Sequence, residues 1–295
     1  MTGALAARVT AALQRRPDPA IARFAARLGE EAGALAVLFY GSNLRTGSLE
    51  GVLDFYVLLP GPAESGIWPR VSYREWDDGG LRLRAKIATM ALATFAAAAA
   101  GERIDTTIWA RFVQPSTLAW CANDHARHQV ERAIAACTTT AARLAAALGP
   151  AAGAEAEYWR ALFRATYRAE LRVEKPGREE SILTLNQQHF DGLLPEALAA
   201  AGIACSAQGA VWAVDMPAAE RRRVLRWWRR RRRAGKFLNA VRLIRASTTF
   251  DGAARYAAWK VERHTGVAIE ITPWRERHPV LAAPAVLWKV WRSRV

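Results

Sequence analysis

Two short apolar runs and the turn between them decide how this chain is read. The first, Leu35-Ala36-Val37-Leu38-Phe39-Tyr40, closes on Gly41-Ser42; the second is Val52-Leu53-Asp54-Phe55-Tyr56-Val57-Leu58-Leu59. Both are short, rich in aromatic or branched residues and bounded by Gly or Pro, the pattern of buried strands. Gly41 lets the backbone come close to a ligand, and the N–H groups of the turn with the Ser42 hydroxyl suit phosphate oxygens. After eleven intervening residues comes Asp54, an acid inside the second run. A carboxylate on a strand beside such a turn suits Mg²⁺, which bridges phosphates and neutralises charge that develops during phosphoryl transfer.

Outward from this pair, Arg82, Arg84 and Lys86 alternate with Leu81, Leu83, Ala85 and Ile87, which predicts a half-buried strand with one basic face. Ile104–Phe112 reads as another strand or strand end, stopped near Pro115. Leu5–Leu28 reads as helix, broken at Pro17 and Pro19. The first 115 residues therefore form a small mixed α/β unit. Beyond Gln114-Pro115, the periodicity predicts helices over 120–148, 155–171 and 179–200, and a hairpin over 203–214 turning at Gln208-Gly209. An arginine-rich helix follows over 218–233, with Gly235 as its cap. The expected organisation is α/β (α+β): one unit at 1–115, a mostly helical second unit at 116–234, and a basic C-terminal segment at 235–295.

Composition narrows the partners. The chain has 295 residues, 52% of them apolar, with 42 Lys and Arg against 27 Asp and Glu, a net charge of +15. So large an apolar share excludes wholesale disorder, and the excess of positive charge calls for a polyanion: nucleic acid, an anionic membrane surface or a phosphorylated substrate. The longest apolar run, Ile87–Ala100, stops about six short of the ~20 residues that cross a bilayer. Cys121, Cys137 and Cys205 are far apart and form no CxxC pair, which fits a reducing compartment better than a disulfide frame or a zinc site. His125 and His128, three apart on an expected helix, lack a third ligand and read as surface residues.

Strand, Gly-Ser turn and acid-bearing strand form the skeleton of the polymerase-β-like nucleotidyltransferases, which carry two acids one residue apart; here Tyr56 holds the second position. Within that superfamily the chain resembles the mitochondrial-type CDP-diacylglycerol synthases, the mitochondrial translocator assembly and maintenance proteins. Their Tyr-Gly-Ser turn and Leu-Asp-Phe strand are matched by Tyr40-Gly41-Ser42 and Leu53-Asp54-Phe55, with an apolar residue expected where Tyr56 stands. Asn43 replaces the family's next Gly. Further matches are Arg84-Ala85-Lys86-Ile87, Arg111 before Gln114-Pro115, then Tyr167, Glu170, Arg172 and Glu174, then Asn186, His189 and Phe190, and more loosely Gly235-Lys236, Tyr256 and Lys260.

The resemblance implies a nucleotidyltransferase domain followed by a winged-helix-like domain, and the reaction of CTP with phosphatidic acid to give CDP-diacylglycerol and pyrophosphate. It implies that Gly41 and Ser42 bind the triphosphate, that Asp54 binds Mg²⁺ and that Lys86 sits on a phosphate. Arg111 is then a second cation near the nucleotide or the phosphatidate, and Tyr167, Glu170 and Arg172 bind the substrate, with Glu170 and Arg172 closing the cleft from the second domain. Such a protein is cytoplasmic and peripheral, on the inner face of the membrane.

The run Arg221–Arg233, with Trp227 and Trp228 inside it, has two readings. Clustered arginines near an anionic surface gain about 1 kcal/mol each, and tryptophan suits the interface; Trp288 and Trp291 in the tail add to such an anchor. The same residues could grip RNA phosphates and stack on bases. A membrane partner is favoured because the implied substrate lies there, while nucleic acid stays open as the alternative, with a tRNA or RNA nucleotidyltransferase or a non-catalytic RNA- or lipid-binding relative as the corresponding functions.

Overall fold

A computed structural model describes residues 3–66, 69–169, 178–249, 252–267, 269–277 and 288. The two apolar runs pair as expected. β1 (Ala36–Tyr40) and β2 (Leu53–Leu59) are antiparallel, with Tyr40 opposite Asp54. The basic-faced strand extends from Leu81 to Ala91 as β4, parallel to β2, with Lys86 opposite Asp54. β3 (Arg70–Asp78) pairs antiparallel with β4, setting Tyr73 opposite Lys86, and β5 (Ser116–Cys121) closes the other side with Ser116 opposite Tyr40. The order is β3-β4-β2-β1-β5. Side chains of directly opposed residues share a face, so one row crosses the sheet: Tyr73, Lys86, Asp54, Tyr40, Ser116.

Both faces are covered, which is why these strands carry nearly continuous apolar runs. On one face lies α2 (Pro19–Glu31), whose Ile21, Phe24 and Leu28 pack against Val37, Phe39, Phe55, Val57 and Ile87. Asp18 caps α2 by accepting from the Ala20 N–H at 2.8 Å, and Pro19 occupies the first turn; this separates α2 from α1 (Gly3–Leu13). On the other face Leu38, Tyr56, Leu58 and Met90 meet α1, α4 (Leu92–Ala99), α5 (Thr107–Phe112) and α6 (Asp124–Leu148). A short helix, α3 (Ser42–Thr46), follows the Gly41 turn.

Several local expectations change. Residues 107–112 are helix, not strand, since Ile108, Trp109 and Phe112 enter the core from one side of α5. Trp120 belongs to β5, and α6 starts only where Asn123 caps it, accepting from the Ala126 N–H at 2.9 Å. The expected boundary at residue 115 therefore falls between α5 and β5. β3 was not expected from the sequence. The helix expected over 179–200 is three: α8 (Arg178–Leu185), α9 (Gln187–Phe190) and α10 (Leu193–Ala200), interrupted at Asn186 and at Gly192.

The second half packs α6 against α7 (Glu155–Ala169), and β6 (Ala152–Ala154), β7 (Ala204–Gln208) and β8 (Val211–Asp215) make an antiparallel sheet in the order β6-β8-β7. The expected hairpin is β7–β8. One apolar core runs from Leu5 through Leu38, Trp109 and Leu162 to Trp228. The arginine-rich helix, α11 (Ala218–Thr249), passes straight through Gly235. A Cβ there would lie 2.5 Å from the Ala169 carbonyl oxygen, so Gly235 permits a close helix crossing and does not end the helix. α12 (Ala253–Thr265) follows.

Candidate functional site

Gly41 ends β1 with φ +95° and ψ −162°, a backbone state open essentially to glycine alone. A Cβ on Gly41 would stand 2.9 Å from Asp54 Oδ2. The turn and the carboxylate are thus in direct apposition, as the sequence spacing suggests. Ser42 follows, exposed at the head of α3. Asn43 is buried, and its Nδ2 donates to the Ser48 carbonyl at 2.8 Å and the Glu50 carbonyl at 2.7 Å. It stitches the loop that leads from the turn back to β2.

Asp54 is flanked by the two cations that the sequence proposes. Burial holds its carboxyl above the usual carboxylate range, and the positive charges of Lys86 and Arg111 offset that rise only in part. Lys86 reaches the site through the β2–β4 register, its neighbour Arg84 being drawn to Glu75 at 3.6 Å, which Arg82 meets at 2.7 Å. The basic face of β4 therefore divides: Arg82 and Arg84 serve a surface cluster, and Lys86 serves Asp54. Arg111 comes from the last turn of α5. Its Nη1 donates to Tyr56 Oη at 3.0 Å, and its guanidinium carbon lies 5.4 Å from the Tyr40 ring and 5.9 Å from the Tyr56 ring.

His189 acts from a distance. Its Nε2 donates to the Val113 carbonyl at 2.8 Å, just beyond the end of α5, and burial holds its imidazole below 6.5, in the neutral form. The His-Phe segment that the sequence picks out thus braces the helix that carries Arg111. Tyr167 lies on α7, half-buried against the shared core. Glu170 and Arg172, like Glu174, lie outside the described residues.

Three aromatic residues that the sequence names only as parts of motifs meet at the site. Tyr40 and Tyr56 wall Arg111. Tyr256, on α12, has its ring 5.5 Å from that of Tyr73, and burial together with the Asp54 charge raises its hydroxyl pKa. α12 spans the site: Trp259 lies 5.7 Å from the Arg84 guanidinium and 5.3 Å from that of Arg263, and Arg263 reaches the Gly51 backbone ahead of β2. Strand alternation from Asp54 is the signal that puts Tyr56 on the Asp54 face; Tyr256 enters the sequence reading only as a loose match to the resembled family.

The donor set fits one Mg²⁺. This ion usually keeps several waters and takes one or two carboxylates plus substrate phosphates, and Asp54 is a desolvated carboxylate that a cation would stabilise. No group of three His, Cys, Asp or Glu side chains gathers among the described residues, so an all-protein metal cage is absent there. His128 pairs at the surface with Glu131.

The arginine run of α11 faces two ways. Arg222, Arg226, Arg229 and Arg233 recur at helical spacing and are exposed. The tryptophans turn inward instead: Trp228 is buried and, like Trp227, packs on Trp109. Arg231 is buried too. It lies 3.8 Å over the Trp227 ring and donates to the carbonyls of Gly101 and Arg103, and burial pulls its pKa down to about 10. No helix among the described residues is long and apolar enough to cross a membrane.

No protein-family model matches this chain, and no curated protein matches it.

Proposed function

We propose that the chain is a Mg²⁺-dependent nucleotidyltransferase built on a polymerase-β-like domain. Its particular reaction is then the one implied by the family it resembles: CTP:phosphatidate cytidylyl transfer. One observation carries the reading, the Gly41 backbone set against Asp54 with Lys86 and Arg111 on either side. A backbone that can approach a triphosphate, a metal-binding acid and two cations acting on it are the parts such a transfer needs.

In this account Gly41 and Ser42 hold the CTP phosphates, Lys86 neutralises them, and Arg111 faces the α-phosphate or the incoming phosphatidate. Mg²⁺ held by Asp54 and the nucleotide phosphates would neutralise charge on the reacting phosphates. A phosphatidate oxygen attacks the α-phosphorus in line, a P–O bond forms, and the bond to the bridging oxygen breaks with its electron pair leaving on pyrophosphate. A phosphomonoester is already largely anionic at neutral pH, so no strong base is required. Tyr167, Glu170 and Arg172 would bind the substrate, with Glu170 and Arg172 closing the cleft.

In the same account the exposed arginines of α11 meet an anionic membrane, and the enzyme is a peripheral protein on its inner, cytoplasmic face. The same stripe would suit RNA phosphates, and that observation keeps an RNA nucleotidyltransferase as the second reading. CTP binding measured by calorimetry tests the nucleotidyl site. Affinity that needs Mg²⁺ and is lost in Asp54→Asn is expected; metal-independent binding unchanged by the substitution would count against it.

A further inference from the structure

We propose that Arg111, positioned by Tyr56, takes the place of a second metal ion, so that the site operates with a single divalent cation. The inference rests on the nucleotidyltransferase reading and concerns how its reacting phosphates are neutralised.

Tyr56 lies two residues beyond Asp54 and, by strand alternation, on the same face of β2. A carboxylate at that point would share a cation with Asp54. A phenol carries no charge at neutral pH and binds Mg²⁺ poorly, but its oxygen is a good acceptor. It accepts from Arg111 Nη1 at 3.0 Å. The guanidinium is further walled by the rings of Tyr40 and Tyr56 at 5.4 and 5.9 Å, a geometry that favours a cation. Tyr40 stands directly across the strands from Asp54, so the arginine is clamped beside the carboxylate and acts on its charge.

Replacing an acid by Tyr56 therefore removes a metal ligand and adds the acceptor that fixes a permanent positive charge. Arginine stays protonated at any working pH and presents paired donors to phosphate oxygens. Tyr56 is a positioning residue: it is buried, and it reaches substrate only through Arg111.

The test counts metal ions. Mn²⁺ is titrated by electron paramagnetic resonance into wild type, Tyr56→Phe and Asp54→Asn, each saturated with a non-hydrolysable CTP analogue, and turnover is measured in parallel. The expected result is one protein-dependent Mn²⁺ per chain, retained in Tyr56→Phe and lost in Asp54→Asn. Tyr56→Phe keeps the ring and the fold, checked by its melting temperature, and lowers kcat about ten- to a hundredfold with KM for CTP little changed, the loss of a hydrogen bond to a charged group. Raising Mg²⁺ does not restore it. Arg111→Lys, which keeps the charge but not the fork, falls by a similar factor. Two Mn²⁺ per wild-type chain, or Tyr56→Phe with unchanged kcat, overturns the inference and leaves the nucleotidyltransferase reading intact. One Asp54-dependent Mn²⁺ without transfer to phosphatidate upholds the one-metal site and overturns the proposed substrate.

Discussion

At the scale of single residues, the site depends on a backbone that only glycine adopts. Gly41 has φ +95° and would push a Cβ to 2.9 Å from Asp54 Oδ2. Gly41→Ala is expected to destabilise the fold by roughly 1–3 kcal/mol, the usual cost of such backbone strain, and to weaken nucleotide binding beyond that. Chemical denaturation and calorimetry check both; a variant with wild-type stability and CTP affinity would contradict the close approach. Gly41, Ser42 and Asp54 were legible in the sequence because each is fixed by neighbours in the chain: a strand, its turn and the strand paired with it. Lys86 was legible from alternation. Tyr256 was named only as a loose match to the resembled family, and its approach to Asp54 was not legible, because it comes through the packing of α12 on β3, about which the residues around it carry no local signal.

At the scale of elements, α5 is held by a half-buried neutral histidine, and this gives a pH dependence of stability. The unfolded chain protonates His189 near its ordinary 6.5, whereas burial keeps the folded imidazole below that value. The contribution is therefore complete above 6.5 and is lost as pH falls below it, down to the folded value, with a limiting slope of about 1.4 kcal/mol per pH unit. His189→Gln, which keeps a donor for Val113, is expected to flatten that slope; melting temperatures across the range read it, and a slope unchanged by the substitution would refute the assignment. Elements also show where sequence patterns mislead. Thr107–Phe112 has the branched and aromatic composition of a strand, yet three of its residues face the core from one side of a helix turn. β3 hides because its charges pair outward, Arg23 with Asp78 and Arg82 with Glu75, leaving little apolar pattern. Gly235 looks like a cap until its neighbour across the crossing, Ala169, is seen.

At the scale of the whole molecule, α11 divides stability from surface charge. Trp228, buried against Trp109, anchors the helix to the shared core, and Trp228→Ala is expected to cost about 3–5 kcal/mol. The triple substitution of Arg226, Arg229 and Arg233 by Gln touches only exposed positions and is expected to leave stability within about 0.5 kcal/mol. It should weaken sedimentation with anionic vesicles about a hundredfold, at about 1 kcal/mol per arginine. Vesicle binding that resists both this change and high salt would remove α11 from the membrane contact. The amount of charge was legible in the sequence; its division between a buried Arg231, stacked on Trp227, and an exposed stripe was set by which face of the helix met the core.

The claim that joins these scales is that the Asp54 site transfers a cytidylyl group to a membrane phosphate. Turnover of labelled CTP on mixed phosphatidate vesicles, with Asp54→Ala beside wild type, tests it most directly. The account predicts labelled CDP-diacylglycerol and pyrophosphate from wild type and none from Asp54→Ala. No lipid product from folded wild type, together with tight, salt-sensitive RNA binding by the same preparation, would contradict it and move the function to nucleic acid.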